Sequence, residues 1–509
     1  MLNAPELQLL LDQNQLLKNQ IVLLKQTIEK QSSFIAELTS QLNWLKRQIF
    51  GTKSERATFS NDLQCTLDLG IAPLPSTAPE IESITYDRTK SSPASKTPHG
   101  REEIPAHIPR KTIVIEPDYD TTNMEQIAEK VTEQLEYVPP QFFVNRYVRP
   151  VHRSVVNGQP TLLCPDLPPL CSDKGKLGAT LIAQTIISKC QDHLPHYRTA
   201  QMIARDCAMT LPESTIRDGF RQGVFMLEAI EHRLRELALQ SSYMQMDEST
   251  IKVMIKPTRG KSHQGYMWVQ HSPLEKIVLF SYQKTRSVER GKKLLEDFSG
   301  TLQSDGLDLY VAICQERGLV HAGCMDHARR YFDKALTNDK VRATEALDLI
   351  RPLYAIEEDA SERALSHDDR LKLRTEKSVP LLAAFFAWCM KHLEKALPKT
   401  PFGKAINYAL ERKVMLSQFI TDGRIEMSNI LIENRIRPLA VGRKNYMFSG
   451  SEDGAERLAI GYSIIGTCIA NKVNPRDYLN HVLAELPKRT ANNIDDLLPM
   501  NWKPLEELT

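Results

Sequence analysis

The sequence predicts a mixed α/β protein with a ribonuclease-H-like sheet in its central part. Three strand-like segments with a period of two follow one another: MQMDESTIKVMI, QGYMWVQHS and KIVLFSYQ. A helix-like segment, the strand-like GTLQSD and the strand-then-helix segment LVHAGCMDHARRYF come next. Three meandering strands followed by alternating strands and helices are the order of a ribonuclease-H-like sheet.

Composition excludes some classes of protein and leaves others open. The 509 residues are too many for one hydrophobic core, so several units are expected. With 65 Lys and Arg against 63 Asp and Glu, the net charge of +2 gives no global field for a polyanion, and basic clusters must act locally. Nine scattered cysteines, no signal-peptide pattern and no run of 18 apolar residues predict a cytoplasmic protein without a membrane span.

The first 50 residues predict a coiled coil. Apolar residues recur at spacings of three and four over residues 7–49, with isoleucine at most a positions, leucine at most d positions and Asn14 at one a position. This pattern favours a parallel homodimer through residues 7–49. The alternative is a long helix that packs on its own protein.

Two less regular units follow the coiled coil. Residues 51–107 are polar and rich in Ser, Thr and Pro, which predicts a flexible linker. Residues 108–172 contain short β-like segments broken by Pro, Asn and Gly, which predicts a small strand-rich module.

Residues 173–240 predict a helical region resembling a helix-turn-helix. Pro212 opens the second helix of the pair, and this arrangement would turn Thr215, Arg217, Asp218 and Arg221 toward a DNA groove. An ordinary helical hairpin that packs its apolar side remains the alternative.

Beyond the helical region the predicted core is interrupted. It comprises residues 241–332 and 416–470, and an all-α insertion occupies residues 333–415. The remaining residues, 471–509, are predicted to form a C-terminal tail.

Three carboxylates are candidates for a metal site. Asp247 lies in the first strand, Asp305 ends the fourth, which would be its neighbour, and Glu433 lies in a later helix. Mg²⁺ prefers oxygen ligands, and two ions about 3.5–4 Å apart stabilise both oxygens of an in-line phosphoryl displacement. Three nearby residues could replace members of this set: Glu248, Glu426 and Glu452.

A basic, aromatic segment surrounds Glu433. Residues 428–451 read SNILIENRIRPLAVGRKNYMFSGS. The predicted phosphate contacts are Arg435, Arg437, Arg443 and Lys444, and the predicted base-stacking residues are Tyr446 and Phe448. The alternative is a solvated basic helix whose aromatic side chains belong to the core.

Several strings resemble transposases of the insertion sequence 66 family. They are LKRQIFGTKSER, MDEST, SDGLDLY, CMDHARRYF and DGRIEMSNILIENRIRPLAVGRKNYMFSGSEDGAER. The resemblance implies that Asp247, Asp305 and Glu433 form an Asp-Asp-Glu triad that holds two Mg²⁺ or Mn²⁺ ions. It implies a catalytic core preceded by the coiled coil, a zinc-ribbon-like module and a helical DNA-binding region.

The same resemblance implies an activity and partners. The expected activity is cleavage at the ends of a mobile element followed by strand transfer, with double-stranded DNA and helper proteins of the same element as partners. His327, Arg329 and Arg330 match the family string, which implies that they line the active site or orient phosphate. The alternative is a transposase-derived DNA-binding or regulatory protein without catalysis.

The small module departs from the family pattern. Residues 99–154 contain no cysteine, and Cys164 and Cys171 lack CxxC spacing. Zinc binding is therefore not expected.

Overall fold

A computed structural model describes residues 111–112, 134, 141–156, 159–171, 177–255, 260–490 and 493–504. The predicted coiled coil and linker, and most of the small module before residue 141, lie outside the described residues. Within them, no helix is both long and apolar enough to cross a membrane.

The centre of the structure is a five-stranded mixed sheet. Its strands are β3 (Tyr243–Met254), β4 (Ser262–Ser272), β5 (Ile277–Gln283), β6 (Thr301–Gln303) and β7 (Val320–Ala322). Their spatial order is β5-β4-β3-β6-β7, with β3, β4 and β5 antiparallel and β6 and β7 parallel to β3. The first strand of the sheet therefore lies at its middle. A separate hairpin precedes the sheet and pairs β1 (His152–Val156) with β2 (Gln159–Leu163).

Helices precede the sheet in the chain, connect its last three strands and follow it. They are α1 (Ala179–Cys190), α2 (His196–Cys207), α3 (Glu213–Leu239), α4 (Val288–Leu294), α5 (Asp308–Arg317), α6 (Met325–Ala335), α7 (Lys340–Glu362), α8 (His367–Leu373), α9 (Val379–Leu393), α10 (Pro401–Glu411), α11 (Lys413–Leu416), α12 (Ile430–Tyr446), α13 (Glu452–Ala470) and α14 (Pro475–Glu485).

One hydrophobic core joins the sheet to α1, α3, α12, α13 and α14. Helix α13 packs on β5, where Ser463 and Thr467 bond to the backbone of Phe280 and Val278. Helices α1 and α3 pack on each other, and α3 also contacts α13, so their apolar side chains share this core. The C-terminal segment belongs to it as well, since Trp502 is 9% exposed and bonds to His481 of α14.

A second core lies within the helices between β7 and α12. Its large side chains include Phe332, Phe385 and Phe402, which are all buried. A π-helical turn, Arg374–Ser378, connects α8 to α9. The Arg374 side chain is fully buried there. This helical layer contacts the sheet through α11, which packs on β7, and the Gly323 N–H bonds to the carbonyl of Met415 at 2.9 Å, so the layer adjoins the carboxyl end of β7.

Candidate active site

Asp247 lies in the middle strand of the sheet. It is opposite Val269 of β4, and its Oδ1 accepts a hydrogen bond of 2.7 Å from the backbone N–H of Glu248. The alternation of strand side chains places Asp247 on the same face as Gln245. Because Gln245 bonds to the start of α12, Asp247 also faces that helix.

Asp305 lies in the loop that follows β6. Strand β6 is parallel to β3 and pairs Gln303 with Gln245, so the chain leaves β6 beside the strand that carries Asp247. Gly306 has φ of +79°, a backbone conformation that favours glycine. The Asp305 carboxylate accepts the Leu307 N–H at 3.0 Å, which fixes it at the start of α5.

Glu433 lies in the first turn of α12, where the helix dipole favours a negative charge. Two side chains of α6 face it. The Arg330 guanidinium donates a 2.6 Å hydrogen bond to Glu433, and the His327 Nε2 is 4.0 Å from the other carboxylate oxygen. Helix α6 therefore places the Arg330 guanidinium and the His327 imidazole beside Glu433.

The charges of the other two candidate carboxylates act on Asp247. Burial, and then the negative charges of Asp305, Glu248 and Glu433, raise the pKa of Asp247 to about 8. Burial also raises the pKa of Asp305, although the nearby His327 opposes that shift. A buried carboxylate whose ionisation is disfavoured by neighbouring carboxylates is typical of cation sites and catalytic sites.

The three rival carboxylates are held by other partners. Glu248 bonds to Arg286 at 2.7 Å and to the buried Tyr310 hydroxyl of α5, so its side chain lies on the opposite sheet face from Asp247. Glu426 pairs with Arg370 at 2.7 Å, and Glu452 pairs with Lys284 at 3.0 Å. Glu433 is itself paired with Arg330 at 2.6 Å, so ion pairing alone does not separate it from these alternatives.

A buried polar network connects the elements that carry the acids. Gln245 of β3 donates to Gln303 of β6 at 2.8 Å and accepts the backbone N–H of Ile432 at 3.1 Å. Gln303 in turn donates to the carbonyl of Glu426 at 2.7 Å. Both glutamines are fully buried. Since unsatisfied buried amides are costly, this network fixes the start of α12 against both strands.

The residues present fit a hard divalent cation in their chemistry, because all three candidate ligands offer carboxylate oxygens. The arrangement is not that of a closed metal site: within the described residues, no group of three or more His, Cys, Asp or Glu side chains could hold an ion together. The Glu433 carboxylate instead pairs with Arg330.

Two predicted phosphate contacts on α12 are available to a ligand. Arg437 and Lys444 are exposed, and no ion pair is found for either in the described part of the chain. Arg435 is half-buried, and its Nε has no hydrogen-bond partner there. Burial lowers the pKa of Arg435 from its usual value.

Two other residues of α12 that were predicted to contact DNA form bonds within the protein. Arg443 is half-buried, and its Nη1 bonds to the Ser249 hydroxyl at 3.0 Å and to the Thr250 hydroxyl at 2.9 Å, which ties α12 to β3. Tyr446 is only 6% exposed, and its hydroxyl contacts that of Tyr462 at 3.2 Å. It cannot serve as a surface platform for a base, whereas Phe448 is 43% exposed.

The remaining predicted DNA contacts differ in their surroundings. Arg217 on α3 is exposed. Arg221 is 3.7 Å from Asp218 and shares a cleft of about 410 Å³ with four acidic residues: Asp218, Glu228, Asp453 and Glu456. Those acids weaken the attraction of Arg221 for phosphate. Arg329 is about half exposed and 3.5 Å from Asp326.

Three protein-family models match this chain. Residues 174–457 match the model described as "Transposase IS66 family", residues 463–500 match "IS66 C-terminal element", and residues 37–113 match "Transposase C of IS166 homeodomain". These matches place the chain among the transposases. It belongs to the IS66 family, whose main model covers more than half of its length.

Full-length relatives are also found in Sinorhizobium fredii. The protein described as "Uncharacterized protein y4qI" is 29% identical, and the alignment covers 95% of this chain and 92% of that protein. "Uncharacterized protein y4jD" is 28% identical, with 94% of this chain and 97% of that protein covered. The similarity therefore extends over nearly the whole chain.

Sequence reasoning missed the residues that hold the acids in place. Gln245 and Gln303 lie two residues before Asp247 and Asp305, but an isolated glutamine in a strand carries no distinctive signal. Tyr408 and Arg412 contact the Asp305 loop from more than 100 positions away. Only the fold could reveal them.

Proposed function

We propose that this chain cleaves DNA at the ends of a mobile element and joins the released 3′ ends to target DNA. The supporting observation is that Asp247 of the central strand lies where burial and the charges of Asp305, Glu248 and Glu433 raise its pKa, beside the loop that carries Asp305 and the start of the helix that carries Glu433. The order β5-β4-β3-β6-β7 supports a ribonuclease-H-like core, with Asp247 on the middle strand. DNA inside the cytoplasm would be the substrate.

Asp247, Asp305 and Glu433 would hold two Mg²⁺ or Mn²⁺ ions. Divalent ions in such a site lower the pKa of water and stabilise the charge that develops on phosphate oxygens. With Glu433 as a metal ligand, Arg330 would no longer pair with it and would contact a phosphate oxygen instead. His327, whose pKa is lowered by burial, would act near Asp305 and Glu433 as a neutral hydrogen-bonding group.

The exposed side of α12 would guide DNA toward the acids. Arg437 and Lys444 are positioned on this side for phosphate contacts, with the exposed Phe448 just beyond the helix. Phosphate contacts of this kind position a duplex without reading its sequence. The exposed Arg217 would contribute from α3, while residues 37–113 would supply further DNA binding.

The direct test uses a labelled duplex carrying the inverted repeats that flank the gene. With Mg²⁺ or Mn²⁺, the wild-type protein is expected to cut at the repeat tip and to join the 3′ end to a plasmid. Glu433→Gln should lower both rates by about 10²–10³-fold or more, as loss of a group that stabilises transition-state charge does. Denaturing gels measure both products.

Glu452→Gln is the matched control, since Glu452 is a partly exposed acid that pairs with Lys284 outside the proposed site. It should cut at the wild-type rate. If wild type and Glu433→Gln both bind the repeat but neither cuts, a DNA-binding or regulatory role replaces catalysis, unless adding the element's helper proteins restores cleavage. Cutting without joining, and without preference for the repeats, would indicate a nuclease.

We also propose that residues 7–49 form a parallel coiled-coil dimer. Joining two element ends requires two active sites to be held together, which such a dimer provides. Deletion of residues 1–50 is expected to yield a monomer by light scattering coupled to gel filtration. A dimer that persists after the deletion would move the assembly role to another surface.

A further inference from the structure

The loop that carries Asp305 is held by residues far away in sequence. The Tyr408 hydroxyl donates a 2.7 Å hydrogen bond to the carbonyl of Asp305. The Arg412 Nε donates a 2.9 Å hydrogen bond to the carbonyl of Gly306. Tyr408 lies in α10, and Arg412 is the first residue after that helix, so both belong to the helical layer between β7 and α12.

Both side chains are themselves fixed by packing. Tyr408 is 8% exposed and stacks on Tyr331 of α6, with ring centroids 4.5 Å apart. The Arg412 guanidinium lies 4.6 Å above the Tyr408 ring, and its side chain is 16% exposed. The Arg412 side chain also closes over Gly306, where an added Cβ would come within 2.9 Å of Nε. These contacts leave the two donors little freedom to move.

The other side of the loop is bound to the sheet. The Ser304 backbone N–H bonds to the carbonyl of Ala322 at 3.1 Å, and its hydroxyl contacts His321 at 2.8 Å. The Ser304 hydroxyl also accepts the Gly306 N–H at 3.2 Å. The loop is therefore fixed between β7 and α10. The backbone contacts of Tyr408 and Arg412 leave the Asp305 carboxylate itself free for a ligand.

We propose that Tyr408 and Arg412 are positioning residues through which the helical layer holds Asp305 in place as a metal ligand. This inference rests on the proposed function of Asp305. It assigns a role in the reaction to a part of the chain that contributes no acid to the triad. Mg²⁺ demands near-ideal geometry, so a small displacement of one carboxylate weakens binding. Partners that orient metal ligands commonly contribute about 10–100-fold to metal affinity or activity.

The test compares two single-hydroxyl deletions in the full-length protein. Tyr408→Phe removes the bond to the Asp305 carbonyl. Tyr354→Phe removes a comparable 2.6 Å bond from α7 of the same layer, which goes to Asp326 instead. Mn²⁺ affinity is measured by the loss of the free-ion paramagnetic resonance signal, and repeat cleavage is measured over a range of DNA concentrations.

Tyr408→Phe is expected to weaken Mn²⁺ binding about 10-fold. The substitution should lower kcat when Mn²⁺ is limiting and leave KM for DNA unchanged. The value of kcat should recover as the Mn²⁺ concentration is raised. Tyr354→Phe should match wild type in all three respects. Arg412→Gln should also weaken Mn²⁺ binding. The double variant with Arg412→Gln and Asp305→Asn should bind Mn²⁺ no more weakly than Asp305→Asn alone.

The outcomes separate this inference from the proposed function. If Asp305→Asn weakens Mn²⁺ binding but Tyr408→Phe and Arg412→Gln do not, the positioning role is wrong and the metal site stands. If Tyr408→Phe and Tyr354→Phe lose Mn²⁺ affinity equally and both have a lower melting temperature, the positioning role is also wrong, because such losses indicate a general packing effect. If wild type and Asp305→Asn bind Mn²⁺ equally, the proposed site fails, and the positioning role fails with it.

Discussion

Asp247→Asn is expected to abolish DNA cleavage and strand transfer while making the metal-free protein more stable. Asparagine keeps the size of the side chain but offers one neutral oxygen in place of a carboxylate. We expect both rates to fall by more than about 10³-fold, since groups that stabilise transition-state charge are each worth about 10²–10³. Binding to the element ends should persist, because the substitution leaves the proposed phosphate contacts on α12 and the proposed DNA-binding residues 37–113 unchanged.

The stability gain follows from the raised pKa of Asp247. Burial and the charges of Asp305, Glu248 and Glu433 bring that pKa to about 8, whereas an unfolded aspartate has a pKa near 3.9. The folded state therefore holds a proton that the unfolded state releases. Between about pH 4 and 8, the folded state loses stability as the pH rises, and asparagine removes this penalty.

Thermal unfolding in EDTA measures the effect. At pH 8 the Asp247→Asn melting temperature should exceed that of wild type by roughly 2 °C or more, and the difference should shrink toward pH 5. Asp297→Asn, at an exposed position, is the control and should leave the melting temperature unchanged. Undiminished cleavage by Asp247→Asn would remove Asp247 from the triad. If Asp247→Asn is less stable than wild type at pH 8, the charge of Asp247 is not disfavoured in the folded protein.

The sheet was the part of the fold most accessible from the sequence. The segments around MDEST, QGYMWVQ and IVLFSYQ have a strong period-two pattern, and the structure confirms them as β3, β4 and β5. The short strands β6 and β7 were also predicted, because each precedes a helix-forming segment. The C-terminal segment predicted as a tail instead packs on the main core through α14 and Trp502, a tertiary contact that no local pattern encodes.

The acids of the proposed site could be selected from the sequence, whereas the surroundings of the helix that carries Glu433 could not. An acid at a strand end can be recognised from local sequence, but the burial of a side chain on α12 depends on what packs there. Arg443 and Tyr446 look like surface residues in a basic segment, yet Arg443 bonds to β3 and Tyr446 lies beneath Lys189 of α1. Lys444, which is adjacent to Arg443, and Arg437, six residues before Arg443, remain exposed.

Arg374→Met is expected to lower the free energy of unfolding by about 3–5 kcal/mol, the cost of breaking a buried ion pair by removing one partner. The Arg374 side chain is fully buried. Its Nε and Nη2 each donate a 2.8 Å bond to Glu357 of α7. Its Nη1 bonds to the carbonyls of Phe419, Asp422 and Ile425 at 2.6, 3.1 and 2.9 Å.

Methionine fills part of the space but donates no hydrogen bond. Arg370 would remain beside Glu357 at 2.6 Å, but the three carbonyls would lose their donor. The segment that they hold leads through Glu426, whose carbonyl bonds to Gln303, to the helix that carries Glu433. The variant should therefore also weaken Mn²⁺ binding at the proposed site.

Urea unfolding measures the stability change, with Arg363→Met as the matched control. Arg363 forms an exposed pair with Asp359 at 3.0 Å, and loss of such a pair costs at most about 1 kcal/mol. Equal effects of the two substitutions would show that Arg374 is not a structural centre of the helical layer.

The pH dependence gives an independent check on Arg374. Burial would raise the pKa of Glu357, but the hydrogen bonds and charges of Arg374 and Arg370 outweigh it and hold that pKa below its usual value. In wild type this contribution to stability is present above the unfolded pKa, near 4.3, and is lost as the pH falls through the folded value. Without Arg374 the pKa of Glu357 rises, so the variant takes up a proton at higher pH than wild type. The stability difference between them should therefore narrow as the pH falls below about 5, because a protonated Glu357 no longer requires the buried guanidinium.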